Sequence, residues 1–256
     1  MLIALTHEIS PEINRCELSY INRKPIDFNL AVKQHERYCD MMRTEGLKVV
    51  EMSMNLEYPD STFVEDTAVV VDELAVMANM GAESRRREVN GVESELKKYR
   101  DISHIKHPAT LDGGDVLRVG RNIYVGITPR TNNRGAECLA SALTPFGYNV
   151  RPVTVKDCLH FKSACTAIDN QTLLVNPEWI DRNEFEGFKI LNIDKSEPWA
   201  ANTLRIGNNI YIHAGFTKTA EKLQKLGFSV KTIDISELIK AEAGLTCSSI
   251  IFNHPV

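Results

Sequence analysis

The stretch Asp115-Val-Leu-Arg-Val-Gly-Arg-Asn-Ile-Tyr-Val125 recurs later in the chain as Asn202-Thr-Leu-Arg-Ile-Gly-Asn-Asn-Ile-Tyr-Ile212. Each copy has two apolar segments joined by a turn that starts with glycine, which is the pattern of a β-hairpin. Weaker copies run from Asp66 to Val76 and from Cys165 to Val175. A similar unit that recurs along a chain is typical of a repeat fold, so we expect repeated hairpins to determine the architecture.

A fifth hairpin would use segments from both ends of the sequence. The segment from Cys247 to Phe252 is typical of a strand, and its partner would be the stretch from Leu2 to Leu5, which would close a ring. Helical patterns lie between the hairpins, and each is followed by a further strand. The predicted helices cover 29–44, 82–99, 131–146, 177–187 and 217–226, and the strands that follow them cover 48–52, 104–107, 149–153, 189–193 and 229–233.

These patterns predict an α/β fold of propeller type, in which a unit of hairpin, helix and strand is repeated about five times around a pseudo-fivefold axis. The helix in each unit distinguishes it from a blade of an all-β propeller. The sequence contains no stretch with the composition of a linker. We therefore expect a single catalytic domain that spans residues 1–256.

The composition is that of an ordinary globular protein, with 256 residues, 43% hydrophobic and 25% charged. The net charge of −4 and the scattered basic residues argue against a nucleic-acid partner. Six cysteines without a CxxC pair predict reduced, mostly buried thiols rather than a disulfide framework. The N-terminus lacks the features of a signal peptide, and no apolar run reaches the ~20 residues of a membrane span. We expect a cytoplasmic protein that does not bind membranes.

The repeat predicts where chemistry could occur. Equivalent strand starts carry polar or reactive residues, and around a common axis they would converge on one pocket; they are Asp66, Asp115, Cys165, Asn202 and Cys247. Cys247 lies among threonine, serine and glycine, so it is a candidate nucleophile, although a single cysteine is more often structural. A catalytic cysteine needs an adjacent base or a lowered pKa, and His160 is the best candidate for that base.

Two acidic motifs could complete such a site. In Leu111-Asp-Gly-Gly-Asp115, paired glycines between carboxylates allow the backbone to approach another group closely. These carboxylates could orient an imidazole, bind a cation or simply cap a tight turn. The motif Pro59-Asp-Ser-Thr-Phe-Val-Glu-Asp66 places three carboxylates just before a strand, where they could form a binding loop or an exposed acidic loop. Neither a metal motif such as HExxH nor a phosphate loop is present.

Two arginines, Arg85 and Arg130, stand near predicted helix starts that follow the second strand of a hairpin. Helix N-termini attract anions, and an arginine adds a fork that can bind a carboxylate through two hydrogen bonds. Acidic residues near the cysteine and arginines at the rim would together suit a zwitterion with a cationic tip. Such a molecule resembles arginine.

The chain resembles the dimethylarginine dimethylaminohydrolases, a family of the pentein or guanidino-group-modifying superfamily. The resemblance extends over essentially all of the sequence and rests on the order of six motifs, at 59–66, 81–86, 111–115, 130–132, 159–163 and 244–247. It implies a five-bladed α/β propeller. It also implies hydrolysis of N-omega-methylated arginines to citrulline plus dimethylamine or methylamine.

The resemblance assigns roles to individual residues. Cys247 matches the nucleophile, His160 the general acid and base, and Asp112 the acidic residue that orients the histidine. The implied substrate-binding residues are Leu18, Asp60, Phe63, Glu65, Asp66, Arg85, Arg130, Ser163 and Ala241. No metal or organic cofactor is implied, and the implied partner is a small guanidino substrate. Exposed sheet edges at the rim of the ring could support a homodimer.

Other functions remain open. Arginine deiminases share the fold and the nucleophile but usually have a His-x-Asp motif, whereas Lys162 occupies the Asp position here. Loss of that carboxylate leaves room for a methylated nitrogen. Other guanidino or ureido substrates fit the same machinery. A binding protein that retains the pocket without catalysis, or a structural metal-binding protein, would be of a different class.

Overall fold

Five three-stranded sheets form the β structure of residues 1–254, the part of the chain that this computed structural model describes. The strands are β1 Leu2–His7, β2 Lys48–Met52, β3 Ala68–Val70, β4 Leu74–Met77, β5 Asp101–His104, β6 Val116–Val119, β7 Asn122–Ile127, β8 Asn149–Thr154, β9 Cys165–Ala167, β10 Thr172–Val175, β11 Lys189–Asn192, β12 Leu204–Ile206, β13 Asn209–His213, β14 Ser229–Ile233 and β15 Ile250–Asn253. The helices are α1 Phe28–Thr44, α2 Glu88–Leu96, α3 Asn133–Leu143, α4 Phe161–Ala164, α5 Thr217–Lys225 and α6 Ser236–Ile239.

Every sheet has the same plan, an antiparallel pair extended by a parallel third strand. The orders are β15-β1-β2, β3-β4-β5, β6-β7-β8, β9-β10-β11 and β12-β13-β14. In the first sheet the antiparallel pair joins the two ends of the described chain, with Leu2 opposite Asn253 and Leu5 opposite Ile250. The predicted α/β fold with five repeated units, closed by pairing of the first and last strands, is confirmed.

Turn chemistry explains why the two best repeats are hairpins. Gly120 and Gly207 occupy the same place in the turns and have φ angles of 61° and 58°. A positive φ is disfavoured for any residue with a Cβ atom, and glycine adopts it freely. Each turn places two residues between paired strand ends, Val119 opposite Asn122 in the first of them. The tight turn and the alternating apolar residues together fix the register.

Two predictions about secondary structure were wrong. The stretch 177–187 is not an α-helix but an irregular segment with one 3-10 turn at Arg182–Glu184. Its neighbouring Trp179 and Ile180, together with Phe185, are all buried in one apolar cluster, which a single helix face could not achieve. The strand expected at 104–107 lies at Asp101–His104, because the pairing with β4 places Asp101 opposite Leu74.

Smaller differences concern helix bounds. The helix expected at 82–99 starts at Glu88, after a 3-10 turn at Glu83–Arg85. The short helices α4 and α6 were not predicted, because four residues are too few to show helical periodicity. No helix among residues 1–254 is both long and apolar enough to cross a membrane.

Candidate active site

His160 lies between two carboxylates. Its Nε2 is 3.1 Å from Asp112 Oδ2, and its Nδ1 is 3.6 Å from Asp66 Oδ1. Burial of the ring disfavours the imidazolium, but the charges of Asp66, Asp115 and Asp112 outweigh burial and raise the pKa of His160 to about 9. The histidine is therefore an acid at neutral pH and carries a proton that it can donate.

Asp112 is fully buried and fixed from its other side. Its Oδ1 accepts a hydrogen bond of 2.8 Å from the main-chain N–H of Gly81, while its own N–H donates to Thr131 Oγ1 at 3.0 Å. Both partners follow the second strand of a hairpin, Gly81 after β4 and Thr131 after β7. The carboxylate is therefore held rigidly against the imidazole, as the role of an orienting residue requires.

The paired glycines beside Asp112 allow this close packing. A Cβ atom on Gly113 would lie 2.0 Å from the carbonyl oxygen of Glu65. One on Gly114 would lie 2.5 Å from Asp66 Oδ1 and 2.8 Å from His160 Nδ1. The interpretation that these glycines permit a close backbone approach is confirmed. The group approached is the histidine together with the acidic loop.

Asp115 fixes the backbone directly after His160. Its Oδ1 accepts from the N–H of Phe161, the first residue of α4, at 2.9 Å, and its Oδ2 accepts from Thr128 Oγ1 at 2.7 Å. Burial outweighs the nearby charge of His160 and raises the pKa of Asp115 to about 6. The carboxylate thus anchors the residue next to His160 and adds negative charge near the imidazole.

Cys247 lies in the turn before β15. Its Sγ accepts a hydrogen bond of 3.3 Å from the N–H of Gly244, and its carbonyl oxygen accepts one of 3.1 Å from the N–H of Glu65. Burial, reinforced by the charges of Glu65 and Asp66, raises the pKa of the thiol to about 12. The resting side chain is therefore a thiol, and it needs an additional positive charge nearby to ionise.

Glu65 faces away from the substrate side of the site. Its carboxylate accepts from Lys162 Nζ at 2.5 Å and from Thr246 Oγ1 at 2.6 Å. Asn202 bridges the same two residues, since its Nδ2 donates to the carbonyl of Lys162 and to Thr246 Oγ1. This polar cluster connects the turn that carries Cys247 to the segment that carries His160.

A small cavity of about 20 Å³ brings most of the predicted residues together. Those that line it are Asp60, Phe63, Asp66, Arg85, Arg130, His160, Ala241 and Cys247. Four further lining residues were not predicted, namely Glu17, Leu159, Glu242 and Ala243. Leu159 and Ala243 adjoin predicted residues in sequence. Glu17 and Glu242 carry no local signal, because contacts between distant segments place them: Glu17 pairs with Asp60, 43 residues away, and Glu242 with Ser19, 223 residues away.

Four predicted residues lie outside the cavity lining. Asp112 is behind the imidazole, and Glu65 is engaged by Lys162. Ser163 lines a separate cavity, and Leu18 packs partly buried against an apolar cluster, next to the lining residue Glu17. Cys165, which was expected to converge on the axis, is instead fully buried among apolar residues. The reason is that it begins β9 itself, where alternation directs it into the core.

The two arginines at the cavity differ in their partners. Every nitrogen of Arg85 is engaged, with Asp66 at 2.6 Å, Glu88 at 2.9 Å, and the carbonyl oxygens of Asp60 and Phe63. Arg130 is also buried, yet its Nη1 has no hydrogen-bond partner among residues 1–254. Buried donors without partners are costly, so Arg130 is suited to bind an anion in the cavity.

Asp66, Asp112 and His160 are the one group of three or more acidic, histidine or cysteine residues in the described chain whose ligand atoms lie within 4.8 Å of one another. The arrangement already has internal partners. Asp66 forms an ion pair with Arg85, and the imidazole occupies the space between the carboxylates. The group is therefore better suited to hold a proton on His160 than to bind a metal ion.

Comparisons with known proteins agree with this geometry. A model of the family described as eukaryotic N,N dimethylarginine dimethylhydrolase matches residues 10–244. A Pseudomonas aeruginosa protein named N(G),N(G)-dimethylarginine dimethylaminohydrolase is 31% identical over 228 residues, 88% of this chain and 90% of its own. A protein of the same name from Streptomyces coelicolor is 35% identical over 249 residues, which are 96% of this chain and 95% of the relative.

The structural comparison gives the same result. A cysteine-to-serine mutant of the Pseudomonas aeruginosa enzyme, complexed with citrulline, superposes with a TM-score of 0.93 and 28% identity, over 97% of this chain and 98% of that chain. Five α/β blades around a cysteine, a histidine and carboxylates define the pentein class of hydrolases. Within that class, the chain belongs to the N,N-dimethylarginine dimethylhydrolase family.

Proposed function

We propose that this protein hydrolyses N-omega-methylated arginines to citrulline and dimethylamine or methylamine, with Cys247 as a covalent nucleophile. The observation that carries the proposal is a single cavity that holds Cys247, a His160 flanked by carboxylates, and the unpartnered Arg130. Acidic groups suit the guanidinium end of the substrate, and the free arginine suits its carboxylate.

The protonation states assign the roles. With a pKa of about 9 for His160 and about 12 for Cys247, the resting pair at neutral pH is an imidazolium and a thiol. A guanidinium bound beside the sulfur favours the thiolate, because an opposite charge lowers the pKa of an acid. Substrate binding therefore activates the nucleophile. Before substrate binds, the neutral thiol oxidises less readily than a thiolate would.

The reaction balances with these groups alone. When the cationic substrate binds, the Cys247 thiol loses its proton to solvent, because His160 is already protonated. The thiolate attacks the guanidinium carbon and forms a C–S bond. The C–N bond to the methylated nitrogen breaks, and His160 gives the departing amine its proton. The S-linked thiouronium that remains is attacked by water, which His160 deprotonates. Collapse of this adduct breaks the C–S bond, and the hydroxyl proton passes to the departing sulfur. Neutral citrulline is released, and the resting thiol and imidazolium are restored.

The remaining predicted contacts concern binding. Asp60 and Asp66 place negative charge around the guanidinium, and Phe63 and Ala241 supply the wall of the cavity. Leu18 is proposed to meet the substrate amine through its backbone, in a segment next to the lining residue Glu17. Roles for Glu65 and Ser163 would be indirect, since both lie outside the cavity.

Lys162 is the feature that favours methylated arginine over arginine. The deiminases usually have a carboxylate at this position, whereas here a lysine forms an ion pair with Glu65. No carboxylate at residue 162 is then available to bind the far nitrogens of an unmethylated guanidinium. A dimethylated nitrogen has no N–H group to donate to such a carboxylate, and its methyl groups need the space that the carboxylate would fill.

The test is citrulline release by the purified protein from asymmetric dimethylarginine, monomethylarginine and arginine, with Cys247→Ser as the control. We expect turnover of the two methylated substrates and a loss of at least ~10⁴-fold in the variant. Turnover of arginine alone would move the protein to the deiminases. If none of the three is turned over but the protein still binds citrulline, it is a binding protein and not an enzyme for these substrates.

We also propose that catalysis needs no metal or organic cofactor, that residues 1–256 act as one catalytic domain, and that the protein works in the cytoplasm as a homodimer. Chelator added to the citrulline assay should leave the rate unchanged. Light scattering of the purified protein should give twice the chain mass of 28.8 kDa.

A further inference from the structure

Residues 17–26 form a segment beside the cavity that lacks regular secondary structure. Within the described chain, no hydrogen bond between main-chain atoms involves this segment. Side chains hold it instead. Asn14 accepts from the N–H of Ile26 at 2.8 Å and donates to its carbonyl oxygen at 3.0 Å, and carboxylates hold the other end. Both oxygens of Asp60 accept from the N–H of Glu17, at 3.2 and 3.1 Å, and Glu242 accepts from Ser19 at 2.7 Å and Tyr20 at 3.0 Å. Two buried carboxylates therefore hold the first part of the segment, residues 17–20.

Glu242 holds its position against a backbone preference. Its φ of 61° lies in the left-handed region, and it is one of two non-glycine residues in the described chain with a positive φ. A glycine would adopt this conformation without the steric cost. Strain of this kind is kept where a particular side chain is needed. The contacts of that side chain are the N–H groups of Ser19 and Tyr20.

The segment also has room to move. A second cavity of about 400 Å³ is lined on one side by residues of the segment, including Tyr20 and Ile21, and on another by Glu242 and Ala243. Glu242 and Ala243 line the small cavity with Cys247 as well, so they form a wall that the two cavities share. Residues 20–22 therefore border open space into which they can move, while Ile26 at the far end of the segment belongs to the apolar core.

We propose that Glu242 is a positioning residue that latches residues 17–26 over the substrate cavity. Its two hydrogen bonds hold the segment closed while substrate is bound, and they break when the segment opens for exchange of substrate and product. Glu242 acts through the segment and not on the reacting atoms. The predicted effect on KM rests on the proposed function. The two hydrogen bonds of the latch are present in the protein without substrate.

Hydrogen exchange of the whole protein tests the latch directly. Glu242→Gln keeps the size of the side chain but presents an amide N–H to one of the two donors. We expect the amides of residues 17–20 to exchange ~10-fold faster in this variant, because charge-assisted hydrogen bonds are lost. In turnover assays KM for asymmetric dimethylarginine should rise ~10-fold while kcat stays within ~2-fold. Glu242→Asp should restore part of both effects.

Glu237→Gln is the matched control. Glu237 is also a buried carboxylate of the C-terminal region, and it accepts from the N–H of Asp27, just beyond the other end of the segment, at 2.8 Å. It does not line the small cavity. We expect exchange at residues 17–20 and KM to match the wild type.

Two results would overturn the latch: unchanged exchange at residues 17–20 in Glu242→Gln, or equal acceleration in both variants. Exchange needs no turnover. If the wild type releases no citrulline, the proposed function fails while the exchange data still decide the latch.

Discussion

Arg85 and Arg130 look alike in sequence, and the structure gives them different environments. Both follow the second strand of a hairpin, and both are buried at the same cavity. Arg85 is saturated by Asp66, Glu88 and two carbonyl groups, whereas Arg130 Nη1 has no partner in residues 1–254. The position within a repeat therefore predicts which cavity a side chain faces, but not whether other residues already satisfy its hydrogen bonds.

Removal of Arg85 should therefore be a stability experiment. Arg85→Ala would leave Asp66 and Glu88 buried without their cation, and breaking a buried ion pair in this way costs about 3–5 kcal/mol. Urea denaturation monitored by circular dichroism measures the loss. Arg118→Ala is the matched control, since Arg118 contacts Asp72 at the same 2.6 Å but at the surface. That change should cost less than about 1 kcal/mol. Equal losses would show that Arg85 is not structural.

Removal of Arg130 should instead be a binding experiment. Arg130→Ala deletes a donor that nothing in the described chain uses, so the free energy of unfolding should change by less than about 1 kcal/mol. Loss of a bidentate contact to the substrate carboxylate should raise KM ~10–100-fold with little change in kcat. Arg130→Lys keeps the positive charge but not the forked guanidinium, so its KM should lie between those of the wild type and Arg130→Ala. An unchanged KM in Arg130→Ala would rule out this carboxylate contact.

A third experiment concerns Asp66, which links the structural arginine to the catalytic histidine. Asp66 supplies the strongest of the carboxylate charges that raise the pKa of His160. Asp66→Asn should lower that pKa from about 9 towards its ordinary value of 6.5, and the basic limb of the pH–rate profile should move with it. NMR titration of the imidazole measures the same shift. The surface variant Asp72→Asn should leave the titration unchanged, and a shift there would argue against a local effect.

The same histidine predicts how stability depends on pH. The folded-state pKa of about 9 lies above the ordinary 6.5, so the folded protein binds this proton more tightly than the unfolded chain. The resulting stability is complete below pH 6.5 and is lost as pH rises through about 9. The stability difference between the wild type and His160→Gln should decline by as much as about 3 kcal/mol over that window. A constant difference from pH 6 to pH 10 would contradict the raised pKa.

Much of the architecture was predictable because it depends on local patterns. Turn glycines such as Gly120 and Gly207, with apolar alternation around them, specify hairpins wherever they occur. The stretch 177–187 failed because burial of Trp179, Ile180 and Phe185 in one cluster outweighed its helical pattern. Tertiary packing commonly overrides local preference in this way.

The site was predictable only in part, for a related reason. Asp112 and its glycines form a compact motif that can be recognised in one segment. Glu242 has no such motif, because its function depends on two N–H groups that lie 223 and 222 positions away in sequence. The saturation of Arg85 likewise depends on partners from two segments, residues 60–66 and Glu88, and the sequence around Arg85 does not reveal the first of them.

The pairing of β1 with β15 has a consequence for how the protein is made. A ribosome delivers β1 early and β15 late, so the first sheet waits for its third strand until nearly all of the described chain has been synthesised. Contacts between residues so far apart are slow to form. Cys247 lies three residues before β15 and reaches its place with it, so the nucleophile is assembled last. An incomplete chain that had folded its other four sheets would have no reactive site.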